Sequence, residues 1–270
     1  MSAVRKIGFY GMGNMGQAML KGLVKAGYPV EDLLIYNRHG AVAEKLAAEY
    51  GVTAIQTPED LAKASQVILF AVKPAILPGV LQALAPVLTK EQSLISVAAG
   101  ISLGQMADLL SQEHKLFRVM PNTPAFVGEG MSAVAHNEPV TSEEVQEVLG
   151  IFNSFGKAEL VEEKLIDAVV GVAGSAPAYV YLFIEALADG AVSEGMSREM
   201  AYEFAAQTVL GSAQMVLKTK AHPGALKDQV TSPGGTTIAA VKELEDRGLR
   251  SAVINAVKVA AQKNREMSQQ

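Results

Sequence analysis

No cysteine occurs among the 270 residues. That excludes disulfides, a thiolate nucleophile and any cysteine-ligated metal, and it fits a reducing compartment. Basic clusters are missing as well. The formal net charge is -5, so the chain has no general attraction for nucleic acid or an anionic membrane surface. Met1 to Lys6 lead directly into a strand-like segment, whereas a secretory leader needs a longer apolar run and a cleavage site. The most apolar later stretch, residues 165–192, is interrupted by Asp167, Pro177, Glu185 and Asp189. It reads as a buried helix pair rather than a membrane span. His39, His114, His136 and His222 are scattered without metal-ligand spacing, so no metal site is expected. No Ser-His-Asp arrangement argues for hydrolysis, and repeats and low-complexity linkers are absent. The expectation is a cytoplasmic globular protein without nucleic-acid or membrane partners.

Hydrophobic residues make up 49% and charged residues 19% of the chain, enough apolar material for a sizeable core. The length favours two domains. In the first half, strand and helix signals alternate. Lys6–Tyr10, Leu33–Tyr36, Val67–Ala71, Leu94–Val97 and Leu116–Val119 read as strands, and Gly16–Ala26, Ala41–Tyr50, Asp60–Ala64 and Leu103–Leu110 as helices. The strands lack polar alternation, as expected of parallel βαβ units buried on both faces. After a further strand at Glu159–Val161 only helical patterns follow: 165–172, 177–194, 198–218, 237–247 and 250–266. Ser175 and Ser197 read as N-caps, and Gly195 and Gly248 as stops. The fold class is therefore α/β followed by an all-helical domain, with the boundary near residue 163: 1–163 and 164–270.

Gly11-Met12-Gly13-Asn14-Met15-Gly16 is G-x-G-x-x-G. It follows a strand and opens a helix, the context that makes it a Rossmann dinucleotide-binding fingerprint rather than a chance pattern. Gly11 permits the tight turn, Gly13 lets the backbone approach a pyrophosphate, and Gly16 lets the helix pack against the strand. The helix start offers unpaired N–H groups to the anion. NAD-selective sites carry an acid at the end of the second strand. Here that strand ends Tyr36-Asn37-Arg38-His39-Gly40, with no acid before Glu44. Arg38 presents a planar fork suited to a 2′-phosphate, so NADPH is the expected cofactor, with NADH accepted less well. The plainer alternative makes Arg38 a solvated surface residue.

The second informative stretch is Leu226-Lys227-Asp228-Gln229-Val230-Thr231-Ser232-Pro233-Gly234-Gly235-Thr236-Thr237. A Ser-Pro-Gly-Gly turn leads into a helix start carrying two hydroxyls. Local physics weighs this equally as a carboxylate site and as an ordinary capped turn between helices.

This stretch resembles the signature of pyrroline-5-carboxylate reductases. Ala71-Val72-Lys73-Pro74, Ser96-Val97-Ala98-Ala99-Gly100, Arg118 to Pro124 and Gly174-Ser175-Ala176-Pro177-Ala178-Tyr179 fall in that family's order, so the resemblance covers essentially the whole chain. Ala176 departs from the family's usual glycine by one methyl group. The resemblance implies reduction of L-1-pyrroline-5-carboxylate to L-proline with NAD(P)H. It implies a helical domain that interlocks with its twin into a homodimer, with dimers often assembled into a ring such as a decamer, and an active site near the dimer interface. By position, Gly13, Asn14 and Met15 would meet the pyrophosphate, and Asn37 and Arg38 would face the 2′-phosphate. Ala71, Val72, Lys73, Pro74, Met120, Pro121 and Asn122 would line the nicotinamide side. Ser232, Gly235, Thr236 and Thr237 would hold the substrate, with Thr237 as the catalytic residue nearest the ring nitrogen.

The remaining polar signals have plain readings. Lys73 stands where a lysine is more often a solvated strand end. Tyr179 and Tyr181 read as packing residues, His222-Pro223-Gly224 as a turn, and Glu143-Glu144 and Glu162-Glu163 as solvated ends. Three rival functions remain. A β-hydroxyacid dehydrogenase would join similar domains but needs a lysine on the substrate-domain helix, and residues 171–179 contain none. The other rivals are a different NADP-dependent imine reductase and an NADP-binding regulatory or scaffold protein without turnover.

Overall fold

The computed structural model describes residues 5–268; Met1 to Val4, read above for a targeting signal, lie outside the described residues. The chain divides into two compact units, Met1–Gly174 with Val259–Gln270, and Ser175–Lys258.

Among the described residues, the first unit is built on eight strands: β1 (Ile7–Tyr10), β2 (Leu33–Tyr36), β3 (Thr53–Ala54), β4 (Val67–Phe70), β5 (Ser93–Ser96), β6 (Lys115–Met120), β7 (Gly130–His136) and β8 (Gly156–Leu160). They form one sheet in the order β3-β2-β1-β4-β5-β6-β7-β8. The first six give the doubly wound order in which strand succession reverses between β1 and β4, and ligands bind at the carboxyl ends of the strands there. Helices cover the sheet: α1 (Asn14–Lys25), α2 (Gly40–Tyr50), α3 (Pro58–Ala64), α4 (Leu77–Leu84), α5 (Leu103–Leu109), α6 (Ser142–Asn153) and α7 (Ile166–Val169), followed by a π turn at Val170–Gly174.

Successive strand residues point to opposite faces. Ile7, Phe9, Ile35, Leu69, Phe117 and Val119 therefore join one buried cluster with Met19, Leu20 and Phe152. Ile68, Phe70, Leu94, Leu116 and Met120 join a second with Leu81, Leu103 and Met106. Burial on both faces is why these strands read as unbroken apolar runs.

The sheet is not wholly parallel. β7 runs antiparallel to β6 while β8 returns parallel to β7. Only residues 121–129 join β6 to β7, too short for the crossover helix that a parallel pair needs. β7 (Gly-Met-Ser-Ala-Val-Ala-His) is poor in β-branched residues, which hid it in the sequence. α6 was readable from its capping box, Thr141 with Glu144. Neither Glu144 nor Glu163 is a merely solvated end. The Glu144 carboxylate accepts from Thr141 N–H at 3.0 Å and from Lys115 Nζ at 2.8 Å. Glu163 Oε1 accepts from Leu103 N–H at 2.8 Å and from Arg118 Nη1 at 3.0 Å.

The second unit contains α8 (Ala176–Ser193), α9 (Arg198–Thr219), α10 (Pro223–Gln229), α11 (Thr236–Asp246) and the start of α12 (Leu249–Ser268). Ser197 caps α9 as expected, but Ser175 has helical dihedrals and makes no capping bond to α8. His222 is more than a turn residue: its ring accepts the Gly224 N–H at 3.0 Å and caps α10. Tyr179 donates to the Ala256 carbonyl at 3.4 Å, whereas Tyr181 is 61% exposed.

Candidate active site

At the end of β1 the chain turns at Gly11, whose φ of +101° lies in the left-handed region. A Cβ there would stand 2.8 Å from the Ala71 carbonyl oxygen, so glycine is required where β1 passes β4. A Cβ at Gly16, in the first turn of α1, would collide with the Gly11 carbonyl oxygen. The third glycine thus seats the helix on the turn itself rather than on the strand. Gly13 differs, because nothing lies within 4 Å of a Cβ built on it. Its surface is open to a ligand. No side chain caps α1, so its first-turn N–H groups keep their capacity for an anion.

The turn is held from β2. Gly11 N–H donates to the Tyr36 carbonyl at 2.9 Å. Asn37 Oδ1 accepts from Met12 N–H at 3.1 Å, and Asn37 Nδ2 donates to the His39 carbonyl at 3.1 Å. The Asn37 amide is therefore engaged with the chain's own backbone, where it orders the glycine loop.

Around this turn lies a cleft of about 720 Å³. Gly11, Gly13, Asn14, Met15, Asn37, Arg38, Ala71, Val72, Lys73 and Pro74 all line it. So do Tyr10, Met12, His39, Ile76, Val97, Ala98 and Ala99, which the cofactor assignment from sequence omitted. For Val97 to Ala99 the signal was available: they follow the strand beside β4, at the same carboxyl edge. Arg38 and Lys73 are both exposed, and no lining residue is acidic. A chain of net charge -5 thus presents a cationic cleft, which favours a phosphorylated ligand. Tyr10 packs against Tyr36 and Phe70 with ring centroids 5.0 and 5.9 Å away. Burial, then the neighbouring Tyr36 and Glu59, raise its hydroxyl pKa, so it faces the cleft uncharged.

Met120, Pro121 and Asn122 are not among the lining residues. All three are buried at the end of β6. Asn122 Nδ2 donates to the Ala173 carbonyl at 3.1 Å and its Oδ1 accepts from Met131 N–H at 2.8 Å. Its side chain ties β7 to the π turn.

Ser232, Gly235, Thr236 and Thr237 belong to the second unit. They gather around the start of α11, where Gly235 is the N-cap and no side chain caps the helix. Ser232, Thr236 and Thr237 are exposed. Gly235 N–H already donates to the Ser232 carbonyl at 3.0 Å, so the donors left for an anion are those of the first helical turn. Gly234, at φ +68°, makes the turn possible.

The sequence is 47% identical over 265 residues to a pyrroline-5-carboxylate reductase of Escherichia coli, covering 98% of each chain. The chain belongs to the pyrroline-5-carboxylate reductase family. Its residues 163–267 match the family described as pyrroline-5-carboxylate reductase dimerisation, and residues 6–100 match the family described as NADP oxidoreductase, coenzyme F420-dependent. Among solved structures, a pyrroline-5-carboxylate reductase from Coxiella burnetii matches with a TM-score of 0.93 at 33% identity, over 98% of this chain and 99% of that one. A Plasmodium falciparum pyrroline carboxylate reductase with NADP bound matches with a TM-score of 0.88 at 36% identity, over 98% of both chains.

Proposed function

We propose that the protein reduces L-1-pyrroline-5-carboxylate to L-proline with NADPH, the last step of proline biosynthesis. The observation that carries this reading is likeness to pyrroline-5-carboxylate reductases along the whole chain. The cleft supports it, because the open surface at Gly13, the uncapped start of α1 and the acid-free lining fit a phosphorylated dinucleotide. Gly11, Gly13, Asn14 and Met15 would hold its pyrophosphate. Arg38 would hold the 2′-phosphate beside the loop that Asn37 orders. Ala71 to Pro74 would flank the nicotinamide, with Met120 to Asn122 supporting that side from beneath. NADPH is preferred over NADH because Arg38 gains a partner only from the phosphorylated ribose.

When bound, NADPH supplies the hydride that the imine carbon receives. The chain's residues supply the rest. The N–H groups of Thr236 and Thr237 bind the substrate carboxylate, with the Ser232 hydroxyl beside them. The Thr237 hydroxyl hydrogen-bonds the imine nitrogen and holds the proton there, so that the nitrogen becomes the secondary amine of proline. Fixing carboxylate and nitrogen orients the ring, and orientation carries much of the acceleration. Residues 1–163 serve as the cofactor domain and 164–270 as the substrate and dimerisation domain.

The helical domain pairs two copies of the chain, and a ring of dimers such as a decamer is the larger assembly. Leu182 and Phe204, 67% and 59% exposed, are too apolar to face water in such number without a partner. The helical run Glu163–Ser193 is apolar enough to cross a membrane by length and composition, yet, against the buried helix pair expected from the sequence, little of it is buried within this chain. A second subunit in the cytoplasm covers it in this reading, and its interrupting charges suit an interface better than lipid.

The test is NADPH consumption with pyrroline-5-carboxylate as substrate, proline as the measured product and NADH in parallel. Turnover to proline with NADPH preferred is expected. NADPH binding without turnover would mean another substrate or a binding role. Thr237→Ala is expected to lower kcat at least about tenfold with the Kd for NADPH unchanged; loss of NADPH binding in that variant would remove Thr237 from the substrate side.

A further inference from the structure

We infer that the C-terminal end of α12 is a brace for the cofactor cleft, with Gln105 as the positioning residue that latches it. The inference rests on the reading that the cleft holds NADPH. Val97, Ala98 and Ala99 form one wall of the cleft. The next residue, Gly100, turns away at φ +78°. Its backbone lies directly on the last turn of α12, and a Cβ there would meet Met267 Cβ at 3.5 Å and the Ser268 nitrogen at 3.7 Å. The wall is thus backed by a helix end.

Gln105 fixes the two together. Its Nε2 donates to the Ser268 carbonyl at 3.1 Å. Its Oε1 accepts from Ser102 N–H at 2.8 Å in the capping box that starts α5. One amide therefore joins the exit of the wall loop to a final carbonyl of α12, a group that has no partner within its own helix. A second clasp keeps the helix end in place. Asn264 is 3% exposed, and its Nδ2 donates to Asp167 Oδ1 at 2.6 Å. Val97, Ala98 and Ala99 pack on the two core clusters, and the end of α12 backs the glycine through which their loop leaves the cleft.

The experiment uses the full chain, Gln105→Glu, a chain ended after Glu266, and both changes together. A carboxylate at position 105 still accepts from Ser102 N–H and keeps the capping box, but it cannot donate to the Ser268 carbonyl. The Kd for NADPH is measured by fluorescence, with kcat at saturating NADPH and the melting temperature. Each single change is expected to raise the Kd about fivefold with kcat within about twofold. The double variant is expected to match the singles, since both break one linkage. Unchanged NADPH affinity in the variants, even with a lowered melting temperature, would overturn the brace and leave a merely structural contact. Multiplying losses in the double variant would overturn it as well. Failure of the unaltered chain to bind NADPH would instead overturn the cofactor reading itself.

Discussion

The two units handle their hydrophobic residues in opposite ways. The sheet unit buries large side chains on both faces: Phe9, Phe70, Phe117, Phe152 and Phe155 are all under 2% exposed. The helical unit's buried cluster consists of three alanines, Ala188, Ala201 and Ala205, with Ile184, Ala191, Val192 and Met196 partly buried around them. Its large apolar residues, among them Phe183, Met215 and Ile254, remain exposed. The sheet unit has the interior of an independently folding domain, whereas the helical unit has half of an interior. In the proposed reading the second half comes from another copy of the chain, and the dimerisation family matched by residues 163–267 agrees with the chemistry of that surface.

The comparison can be broken most directly by truncating one phenylalanine in each unit. Phe117→Ala is expected to cost about 3–5 kcal/mol of stability in denaturant titration, because it leaves a cavity in a closed core. Phe204→Ala is expected to shift stability mainly through protein concentration, since it weakens subunit association. Equal, concentration-independent losses from both would abolish the distinction. A somewhat smaller effect, about 3 kcal/mol of dimer affinity, is expected for Leu182→Glu, which places an unpaired carboxylate in an apolar interface. Light scattering reads the dissociation, and an unchanged oligomer would show that this face is not the subunit contact.

Next in size is the cleft. Arg38→Ala is expected to weaken NADPH binding by about 1.5–3 kcal/mol, the value of a charge-assisted bond, while NADH binding stays the same. An equal loss for both cofactors would mean that Arg38 shapes the loop rather than reading the phosphate.

The smallest effect is electrostatic and belongs to the sheet unit. Burial works to raise the Glu144 pKa, but the Lys115 ammonium, the Thr141 N–H and Arg5 together hold it below the usual 4.5. The Glu144 hydrogen bond raises Lys115 above 10.5. A depressed carboxylate contributes stability that is present above about pH 4.5 and is lost as pH falls through its folded pKa. A raised ammonium contributes stability that is present below about pH 10.5 and is lost as pH rises through its folded pKa. The pair therefore stabilises between those limits. Glu144→Gln is expected to remove about 0.5–1 kcal/mol in that window and to flatten the loss of stability on the acid side. An acid limb identical to that of the unaltered chain would dissociate Glu144 from it.

Much of the cleft was legible because it is built from local turn chemistry. The spacing of Gly11, Gly13 and Gly16 states a strand, a turn and a helix start in six consecutive residues, and Arg38 stands where β2 must end. The elements that went unseen have weak local signals. β7 has few β-branched residues, α10 begins at a His-Pro-Gly that resembles a turn, and the α6 capping box was passed over as surface acids. The plain reading of Glu163 failed for another reason, since no local pattern announces a carboxylate whose donors are Leu103 and Arg118.

By itself the sequence determined the dinucleotide fold, an acid-free end to β2 that suits NADP, and the hydroxyl-rich helix start at Thr236 and Thr237. Each of these depends on the conformational freedom or charge of residues a few positions apart. Only the tertiary structure decided that Asn37 spends its amide on the glycine loop and that Val97 to Ala99 complete the cleft wall. It also decided that Ser268 reaches Gln105 across 163 positions of sequence. Those arrangements depend on which strands lie side by side and which backbone donors face which acceptors, and a linear pattern of residue types does not encode that pairing.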